Sequence, residues 1–215
     1  MKEDLHDNRK IYAKKSLLEE DLNKNPVHQF QQWFYDAKND DAIEEANAMT
    51  VTSVDKEGFP KTRVVLLKYY DEHGFVFYTN YESEKGKALS ANPKTCLNFF
   101  WPSLERQVII KGSAVRLSEE RSDEYFISRP KGSQIGAMVS PQSQVISGRE
   151  VLEDRLTELE KEYANKPIER PKHWGGFIVK PQSIEFWQGR PNRLHDRFLY
   201  SSVNQNEWKI DRLAP

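Results

Sequence analysis

The feature that most limits the possible folds is a series of short β-type segments, separated by turn signals, that begins at residue 49. Segment 49–54 precedes a turn at 55–58, and segment 61–70 precedes a turn at 71–74. Further strands are predicted at 75–80, 94–101, 107–117, 175–180, 184–188, 197–203 and 208–212. This pattern favours an antiparallel, barrel-like sheet of about six to eight strands with helices between them.

Helices are predicted before and between these strands. Asn25 followed by Pro26 predicts a helix start, because the asparagine side chain caps the first turn and proline fits there. Its apolar face is formed by Val27, Phe30, Trp33, Phe34 and Ala37. Further helices are predicted at 83–92, 118–128 and 148–165. Ser147 and Glu150 predict a capping box at the start of the last one.

Size, charge and motif content exclude several classes of protein. The 215 residues fit one domain, predicted at 25–215, preceded by a polar extension at 1–24. The net charge of -1 comes from interspersed signs, which gives no reason to expect nucleic acid or an anionic membrane as partner. The sequence contains no GxGxxG motif and no P-loop, so a Rossmann or P-loop nucleotide site is not expected.

Cysteine and histidine usage gives no metal site and no disulfide. Cys96 is the only cysteine, and the five histidines show no metal-ligand spacing. The polar N-terminus lacks the apolar stretch of a secretory signal, and no segment reaches the length of a membrane span. A cytoplasmic protein is therefore expected.

The stretch from Arg193 to Arg197 carries the strongest chemical signal. If it is extended, Arg193, His195 and Arg197 share one face, where an anion between them would relieve their mutual repulsion. A solvated edge strand with an ordinary surface histidine explains the same spacing. Trp187, a little earlier in the chain, fits either the core or a surface on which a planar ligand stacks.

A second set of residues suits a phosphate group. Tyr125 and Arg129 are one helical turn apart and share a face, and Ser133 is predicted in the loop that follows. The same residues also fit a helix end capped to solvent. Lys85 lies in the first turn of the helix predicted at 83–92, where backbone amides favour an anion.

Ten short motifs occur in order from residue 63 to the C-terminus. They are RVVLLK at 63–68, FYTN at 77–80, LERQ at 104–107, SRP at 128–130, SQIGA at 133–137, PQS at 141–143, WGGF at 174–177, EFWQG at 185–189, RLHDRFLY at 193–200 and WKIDRLAP at 208–215. Through these motifs, and from about residue 9 onward, the sequence resembles the pyridoxamine 5'-phosphate oxidase family, also called the pyridoxine 5'-phosphate oxidase family.

The resemblance implies a mostly β protein with flanking helices, an FMN-binding split β-barrel that works as a homodimer with FMN at the subunit interface. It also implies oxidation of pyridoxine 5'-phosphate or pyridoxamine 5'-phosphate to pyridoxal 5'-phosphate. The acceptor is O2, and the by-products are H2O2 and, from the amine, ammonia. This reaction belongs to vitamin B6 biosynthesis and salvage.

Site residues are implied by the same motifs. FMN contacts are expected from Arg63, Lys68, Tyr78, Thr79, Lys85, Gln107, Gln142, Ser143, Trp187 and Arg197. Substrate contacts are expected from Arg9, Tyr12, Lys68, Tyr125, Arg129, Ser133, Arg193 and His195. Arg193 and His195 are expected to act as the catalytic pair against the pyridine ring. Arg9 and Tyr12 match a segment that covers the occupied site, so the extension at 1–24 is expected to form a lid.

Two features depart from a simple reading of this pattern. The family commonly has arginine where this chain has Glu84, and a carboxylate there would repel the FMN phosphate unless it points away. Arg63 and Lys68 are five residues apart, so a regular strand places them on opposite faces. Both can serve one site if the strand bends or bulges, or if part of the contact is made by backbone.

Three other functions fit parts of the sequence. A flavin reductase of the split-barrel class would share the FMN contacts but would not need Tyr125, Arg129 and Ser133 together with Arg193 and His195. A protein that binds and stores FMN or pyridoxal phosphate would keep these residues without turnover. A β-barrel interaction module leaves the ordered motifs unexplained.

Overall fold

A computed structural model describes residues 4–7, 9–204 and 207–215. Within these ranges, five α-helices lie at Pro26–Lys38 (α1), Glu84–Ala91 (α2), Glu119–Ser128 (α3), Lys131–Val139 (α4) and Glu150–Glu162 (α5). Nine strands lie at Ala48–Val54 (β1), Pro60–Leu66 (β2), Tyr69–Asp71 (β3), Gly74–Asn80 (β4), Lys94–Trp101 (β5), Arg106–Arg116 (β6), Trp174–Gln188 (β7), Asp196–Ser202 (β8) and Trp208–Arg212 (β9). Short 3-10 turns lie at Glu19–Asp21 and Pro191–Arg193. In these described parts of the chain, no helix combines the length and apolar character needed to cross a membrane.

The nine strands form one sheet with the order β2-β1-β5-β6-β7-β4-β3, and β8 pairs with β7 and β9. β7 is antiparallel to β4 over residues 174–179 and to β8 over residues 183–188. Pro181 lies between these two ladders, where neither requires the N–H that proline lacks. The prediction of two separate strands at 175–180 and 184–188 is therefore wrong, because the proline interrupts the pairing and not the strand.

Close contacts divide the described residues into two compact units. The first unit contains residues 4–49, Leu97–Lys111 and Pro181–Pro215, and the second contains Thr50–Cys96 and Gly112–Lys180. In the first unit, Asn25 caps α1 by accepting a hydrogen bond from the Val27 N–H, as predicted. Phe30 of α1 packs on Phe99 of β5 with ring centroids 5.0 Å apart. The predicted apolar face of α1 therefore does cover the core of this unit.

The core of the second unit joins α3, α4 and α5 to the start of β7. It is built from Phe126, Ile135, Leu159, Ile168 and Trp174, all of which are buried. Helix α4 is absent from the sequence prediction, because the glycines at 132 and 136 weaken its helical signal. The capping box predicted for α5 is also wrong: Arg149 is the residue before the helix, and no side chain caps it.

Candidate active site

A cavity of about 440 Å³ in the second unit collects residues that the sequence predicts for cofactor or substrate binding. It lies between the end of β2, strand β4, the start of α2, the end of α3 and helix α4. Eight of the predicted residues line it: Lys68, Tyr78, Thr79, Lys85, Tyr125, Arg129, Ser133 and Gln142. These eight residues come from β4, α2, α3 and α4 and from the segments between elements, and the cavity brings them to one place.

One wall of the cavity is built around Lys85. Its Nζ atom donates a hydrogen bond to Gln142 Oε1 at 2.8 Å, and Thr79 Oγ1 donates to the same oxygen at 3.3 Å. Burial, with a smaller contribution from the charge of Arg63, lowers the pKa of Lys85 to about 8. A cation whose charge is disfavoured by its surroundings gains stability when an anion is placed beside it. This wall is therefore suited to a phosphate or carboxylate group.

The opposite part of the lining is an aromatic stack that carries Arg129. The ring of Tyr78 lies 3.9 Å from that of Tyr125 and 5.4 Å from that of Trp174, both nearly parallel. The guanidinium carbon of Arg129 lies 4.6 Å from the Trp174 ring centroid. Nη1 of Arg129 is buried and has no hydrogen-bond partner among the described residues. Because a buried donor without a partner is costly, this atom is suited to donate to an anionic ligand.

The turn between α3 and α4 is fixed by Gln134. Its Nε2 atom lies 3.0–3.1 Å from the carbonyl oxygens of Phe126, Ile127 and Arg129, at the end of α3 and directly after it, where carbonyls lack helical partners or have only one. This contact holds the end of α3 against α4. Ser133 lies in α4 and not in the loop predicted for it, because α4 begins directly after Pro130. It still lines the cavity together with Arg129.

The structure shows why the spacing of five residues between Arg63 and Lys68 does not place them on opposite faces of one strand. Strand β2 ends at Leu66 and β3 begins at Tyr69, so Lys68 lies in an interruption between them. The N–H of Lys68 donates to the carbonyl of Val76 at 2.8 Å. Alternation along one strand therefore does not apply to this pair. Lys68 lines the cavity, whereas Arg63 is not among its lining residues.

Glu84 is paired with cations of β2. Its carboxylate accepts a hydrogen bond from Lys61 Nζ at 3.0 Å and lies 3.9 Å from Arg63 Nη2. The side chain of Arg63 is 62% exposed, and its Nη1 donates to the carbonyl of Thr62. Ser143, which has a positive φ of 71°, is exposed and does not line the cavity.

In the first unit, three predicted residues form an aromatic cluster. The ring of Trp187 lies 4.7 Å from that of His195, and the ring of Tyr12 lies 5.7 Å from Trp187 and 5.8 Å from His195. Nδ1 of His195 accepts a hydrogen bond from the N–H of Arg190 at 3.0 Å, so the neutral ring carries its proton on Nε2. Burial, followed by the charge of Arg193, lowers the pKa of His195. Both effects favour a neutral imidazole that can donate from Nε2.

The condition on which Arg193, His195 and Arg197 would share one face, an extended 193–197, is not met. Arg193 ends the 3-10 turn with a φ of 62°, and β8 begins only at Asp196. Alternation over the whole stretch is lost, because Arg193 belongs to the 3-10 turn and the strand starts three residues later. Arg197 pairs with Glu185 at 2.8 Å and donates to the carbonyl of Ala214 at 2.7 Å.

The other two predicted residues of the first unit make local contacts. Nε2 of Gln107 donates to Oδ1 of Asn98 at 2.6 Å on the neighbouring strand. Nε of Arg9 donates to the carbonyl of His6 at 3.1 Å in an exposed part of the extension. Neither contact indicates a ligand.

Two family models together match most of the chain. Residues 35–163 match the model described as pyridoxamine 5'-phosphate oxidase. Residues 174–215 match the pyridoxine 5'-phosphate oxidase C-terminal dimerisation region. The chain belongs to the pyridoxamine 5'-phosphate oxidase family.

Relatives of full length agree with this assignment. The pyridoxine/pyridoxamine 5'-phosphate oxidase of Flavobacterium psychrophilum is 55% identical over 212 residues, which is 99% of each chain. Its counterpart in Christiangramia forsetii is 55% identical over 215 residues and the full length of both chains. The counterpart in Gloeothece citriformis is 51% identical over 215 residues, again the full length of both.

Solved structures support the fold. PhzG from Burkholderia lata, in complex with tetrahydrophenazine-1-carboxylic acid, has a TM-score of 0.85 and 26% identity, covering 93% of this chain and 98% of that one. A pyridoxamine 5'-phosphate oxidase-related, FMN binding protein from Nostoc punctiforme has a TM-score of 0.69 and 15% identity, covering 87% and 96%. The predicted family, the mostly β split-barrel fold, the oxidoreductase class and FMN as cofactor are thereby confirmed.

Two residues that the sequence analysis does not predict as site residues help to position the side chains of the cavity. Trp174 carries the stack under Tyr78 and Arg129, and Gln134 holds the α3–α4 turn. Both lie within the motifs that carry the family resemblance. Their spacing from Arg129 gives no signal, because the contacts depend on how α4 and β7 pack.

Proposed function

We propose that this chain oxidises pyridoxine 5'-phosphate or pyridoxamine 5'-phosphate to pyridoxal 5'-phosphate, with FMN as cofactor and O2 as acceptor. The by-products are H2O2 and, from the amine, ammonia. The observation that carries the proposal is the unpartnered, buried Nη1 of Arg129 in a cavity that Tyr125, Ser133 and Lys68 also line. Arginine is suited to phosphate because its planar fork donates several hydrogen bonds in fixed geometry.

The residues present fit a second anion as well, which is what FMN requires. Lys85 has a lowered pKa, donates hydrogen bonds only to uncharged oxygens, those of Gln142 and Ser83, in the described residues, and lies at the start of α2. The backbone amides there add positive potential. When bound, FMN supplies the redox chemistry, accepting a hydride equivalent from the substrate and giving the electrons to O2.

In this proposal, the substrate phosphate is bound by Tyr125, Arg129, Ser133 and Lys68. FMN is bound by Arg63, Lys68, Tyr78, Thr79, Lys85, Gln107, Gln142, Ser143, Trp187 and Arg197. Arg193 and His195 orient the pyridine ring. The lowered pKa of His195 and the hydrogen bond at Nδ1 favour a neutral ring with its proton on Nε2, from which it can donate to negative charge on the substrate ring.

The working form in this proposal is a homodimer. Support comes from residues 174–215, which match a family dimerisation region. Exposed apolar side chains on the sheet, including Val64 at 70% and Phe100 at 52%, are suited to burial against a second copy. Sedimentation of the FMN-reconstituted protein tests this point, and a monomer at micromolar concentration contradicts it.

The experiment that tests the function is oxygen-dependent formation of pyridoxal 5'-phosphate by the purified, FMN-reconstituted protein, with each phosphorylated substrate in turn. Product with matching H2O2 is expected. FMN binding with no product from either substrate contradicts the proposal and leaves two alternatives. NAD(P)H-dependent flavin reduction then identifies a reductase, and its absence identifies a carrier.

A further inference from the structure

Glu105 is a buried carboxylate in the loop between β5 and β6. Its side chain is only 2% exposed, and its φ of 57° lies in the left-handed region that non-glycine residues rarely adopt. A buried carboxylate is costly unless hydrogen bonds and a counter-charge compensate it. Contacts with neighbouring residues must therefore offset the free-energy cost of both the strained backbone and the buried charge.

The compensating groups come from the N-terminal extension. The N–H of Lys14 donates to Glu105 Oε2 at 3.0 Å, and Lys10 Nζ forms an ion pair with Oε1 at 3.4 Å. Lys10 also approaches the carbonyl of Pro102 in the same loop. Residues 10–14, which lie outside any helix or strand, are thus held at two points by one side chain.

The backbone of Glu105 is joined to the end of β7. Its carbonyl oxygen accepts hydrogen bonds from the N–H of Gly189 at 2.7 Å and from Nε2 of Gln188 at 3.2 Å. Trp187 immediately precedes these two residues. One residue therefore connects the extension to the strand end that carries Trp187.

The segment between the two attachment points carries Tyr12, whose ring meets both Trp187 and His195. Gly189 gives this ring its room: a Cβ atom there would lie 2.8 Å from Cγ of Tyr12 and 3.1 Å from Cβ of Glu105. The distance of 2.8 Å to Tyr12 is shorter than a van der Waals contact between carbon atoms allows. The absence of a side chain at residue 189 therefore leaves the space that Tyr12 and Glu105 occupy beside the end of β7.

We propose that Glu105 is a positioning residue, which fixes residues 10–14 so that Tyr12 covers Trp187 and His195. It acts through Tyr12 and touches no reacting atom. Its importance for catalysis rests on the proposed function and on the family resemblance, which implies that the extension at 1–24 covers the occupied site.

Hydrogen exchange of the Lys14 amide tests the anchor directly, with no need for activity. Replacing Glu105 with Ala removes both attachments, so we expect this amide to exchange about tenfold faster or more, as for loss of a hydrogen bond to a charged group. Lys15→Met is the matched control, because Lys15 lies in the same segment but pairs with Asp36 at 3.6 Å. Unchanged exchange at Lys14 in a folded Glu105→Ala protein overturns the proposal.

Two further variants keep Glu105 and so do not depend on how well Glu105→Ala folds. Lys10→Met removes the ion pair with Glu105 together with the contacts of Nζ with the Pro102 carbonyl and the Tyr12 ring, but keeps the hydrogen bond of the Lys14 N–H. Gly189→Ala displaces the Tyr12 ring. Both are expected to raise exchange at residues 10–14 while β8 and β9 keep wild-type protection. If neither changes the exchange of this segment, Glu105 does not position it.

Steady-state kinetics then separate positioning from a general structural effect. Glu105→Ala and Tyr12→Ala should each raise KM for pyridoxine 5'-phosphate more than they lower kcat. The double variant should be no worse than the more damaged single variant, because both remove the same cover. Additive effects overturn the route through Tyr12. Absence of product from the wild type contradicts the proposed function instead, while the exchange experiment still tests the anchor.

Discussion

The guanidinium of Arg129 lies 4.6 Å over the ring of Trp174, and this contact holds a cation with an unused donor inside the cavity of the second unit. Burial lowers the pKa of Arg129, but an arginine remains charged at any pH at which the protein is folded. The aromatic face gives the guanidinium a fixed direction without using its N–H groups. This combination is suited to an anion that enters and leaves.

Replacement of Arg129 by Met should therefore weaken substrate binding selectively. We expect KM for pyridoxine 5'-phosphate to rise about tenfold to a hundredfold, as for loss of a hydrogen bond to a charged group, with FMN affinity unchanged. Oxygen uptake and FMN titration measure the two quantities. Arg155→Met is the control, since Arg155 makes only an exposed ion pair with Glu158. Loss of FMN from the Arg129 variant would contradict its assignment to the substrate phosphate.

The affinity for FMN should fall as pH rises above about 8. Lys85 has a pKa of about 8 in the free protein, lowered by burial, and a bound phosphate dianion would raise it again. Below that pH the cation is already present; above it, binding must take up a proton, so affinity falls by up to about tenfold per pH unit. Titration of FMN from pH 7 to 9 measures this slope.

A matched pair of variants tests whether Lys85 causes this pH dependence of FMN affinity. Lys85→Met should flatten it and weaken binding at pH 7, whereas Lys87→Met, on the exposed side of α2, should leave both unchanged. An equal slope in the Lys85 variant would mean that another group takes up the proton.

Replacement of Glu84 by Gln should strengthen FMN binding. Glu84 lies 3.9 Å from Arg63 and 3.0 Å from Lys61, so its charge competes with a phosphate for both. These groups are about half exposed, and such pairs contribute under about 1 kcal/mol, so the gain should be about twofold to fivefold. FMN titration at low ionic strength measures it, with the exposed Glu162→Gln as control. Weaker binding in E84Q would show that Glu84 helps to position Arg63.

Replacement of Arg193 by Ala should slow turnover by about a hundredfold while FMN stays bound, as for loss of one donor to developing charge. Arg193 lies in a strained turn next to the strand that begins at Asp196, with His195 between them. Single-turnover reduction of bound FMN by substrate isolates the affected step. Near-normal turnover by the Arg193→Ala variant would contradict the catalytic role proposed for Arg193.

The sequence predicted the elements that repeat a simple pattern. Strands β5 and β9 match their predicted bounds, and the Asn25–Pro26 start of α1 is correct, because periodicity and capping are local properties. Local patterns failed where a neighbour decides the outcome. Pro181 marks a change of pairing partner within β7, which depends on β4 and β8.

The same limit applies to the site. Family motifs named eight of the residues that line the cavity, but the sequence pattern placed Ser133 in a loop and gave no sign of the turn that contains Arg193. The contact of Trp174 with Arg129 and the support of the α3–α4 turn by Gln134 arise from packing between elements far apart in sequence. Neither contact can be inferred from the periodicity of apolar residues or from helix-capping residues, because both signals are local.

Replacement of Gly86 by Ala should damage both stability and FMN binding, although alanine normally stabilises a helix by about 1 kcal/mol relative to glycine. The N–H of Gly86 donates to the capping Oγ of Ser83 at 3.2 Å. A Cβ atom on Gly86 would lie 2.6 Å from the carbonyl oxygen of Asn80 and still closer to that of Tyr81, and backbone atoms cannot move aside cheaply. The start of α2 would have to shift, and Lys85 with it.

Gly132→Ala in α4 is the matched control, because nothing lies within 4 Å of a Cβ atom there. It should raise the free energy of unfolding by about 0.5–1 kcal/mol and leave FMN affinity unchanged. Thermal unfolding and FMN titration of the two variants make the comparison. If Gly86→Ala were as stable as Gly132→Ala and bound FMN normally, close packing at the start of α2 would not be what places Lys85 in the cavity.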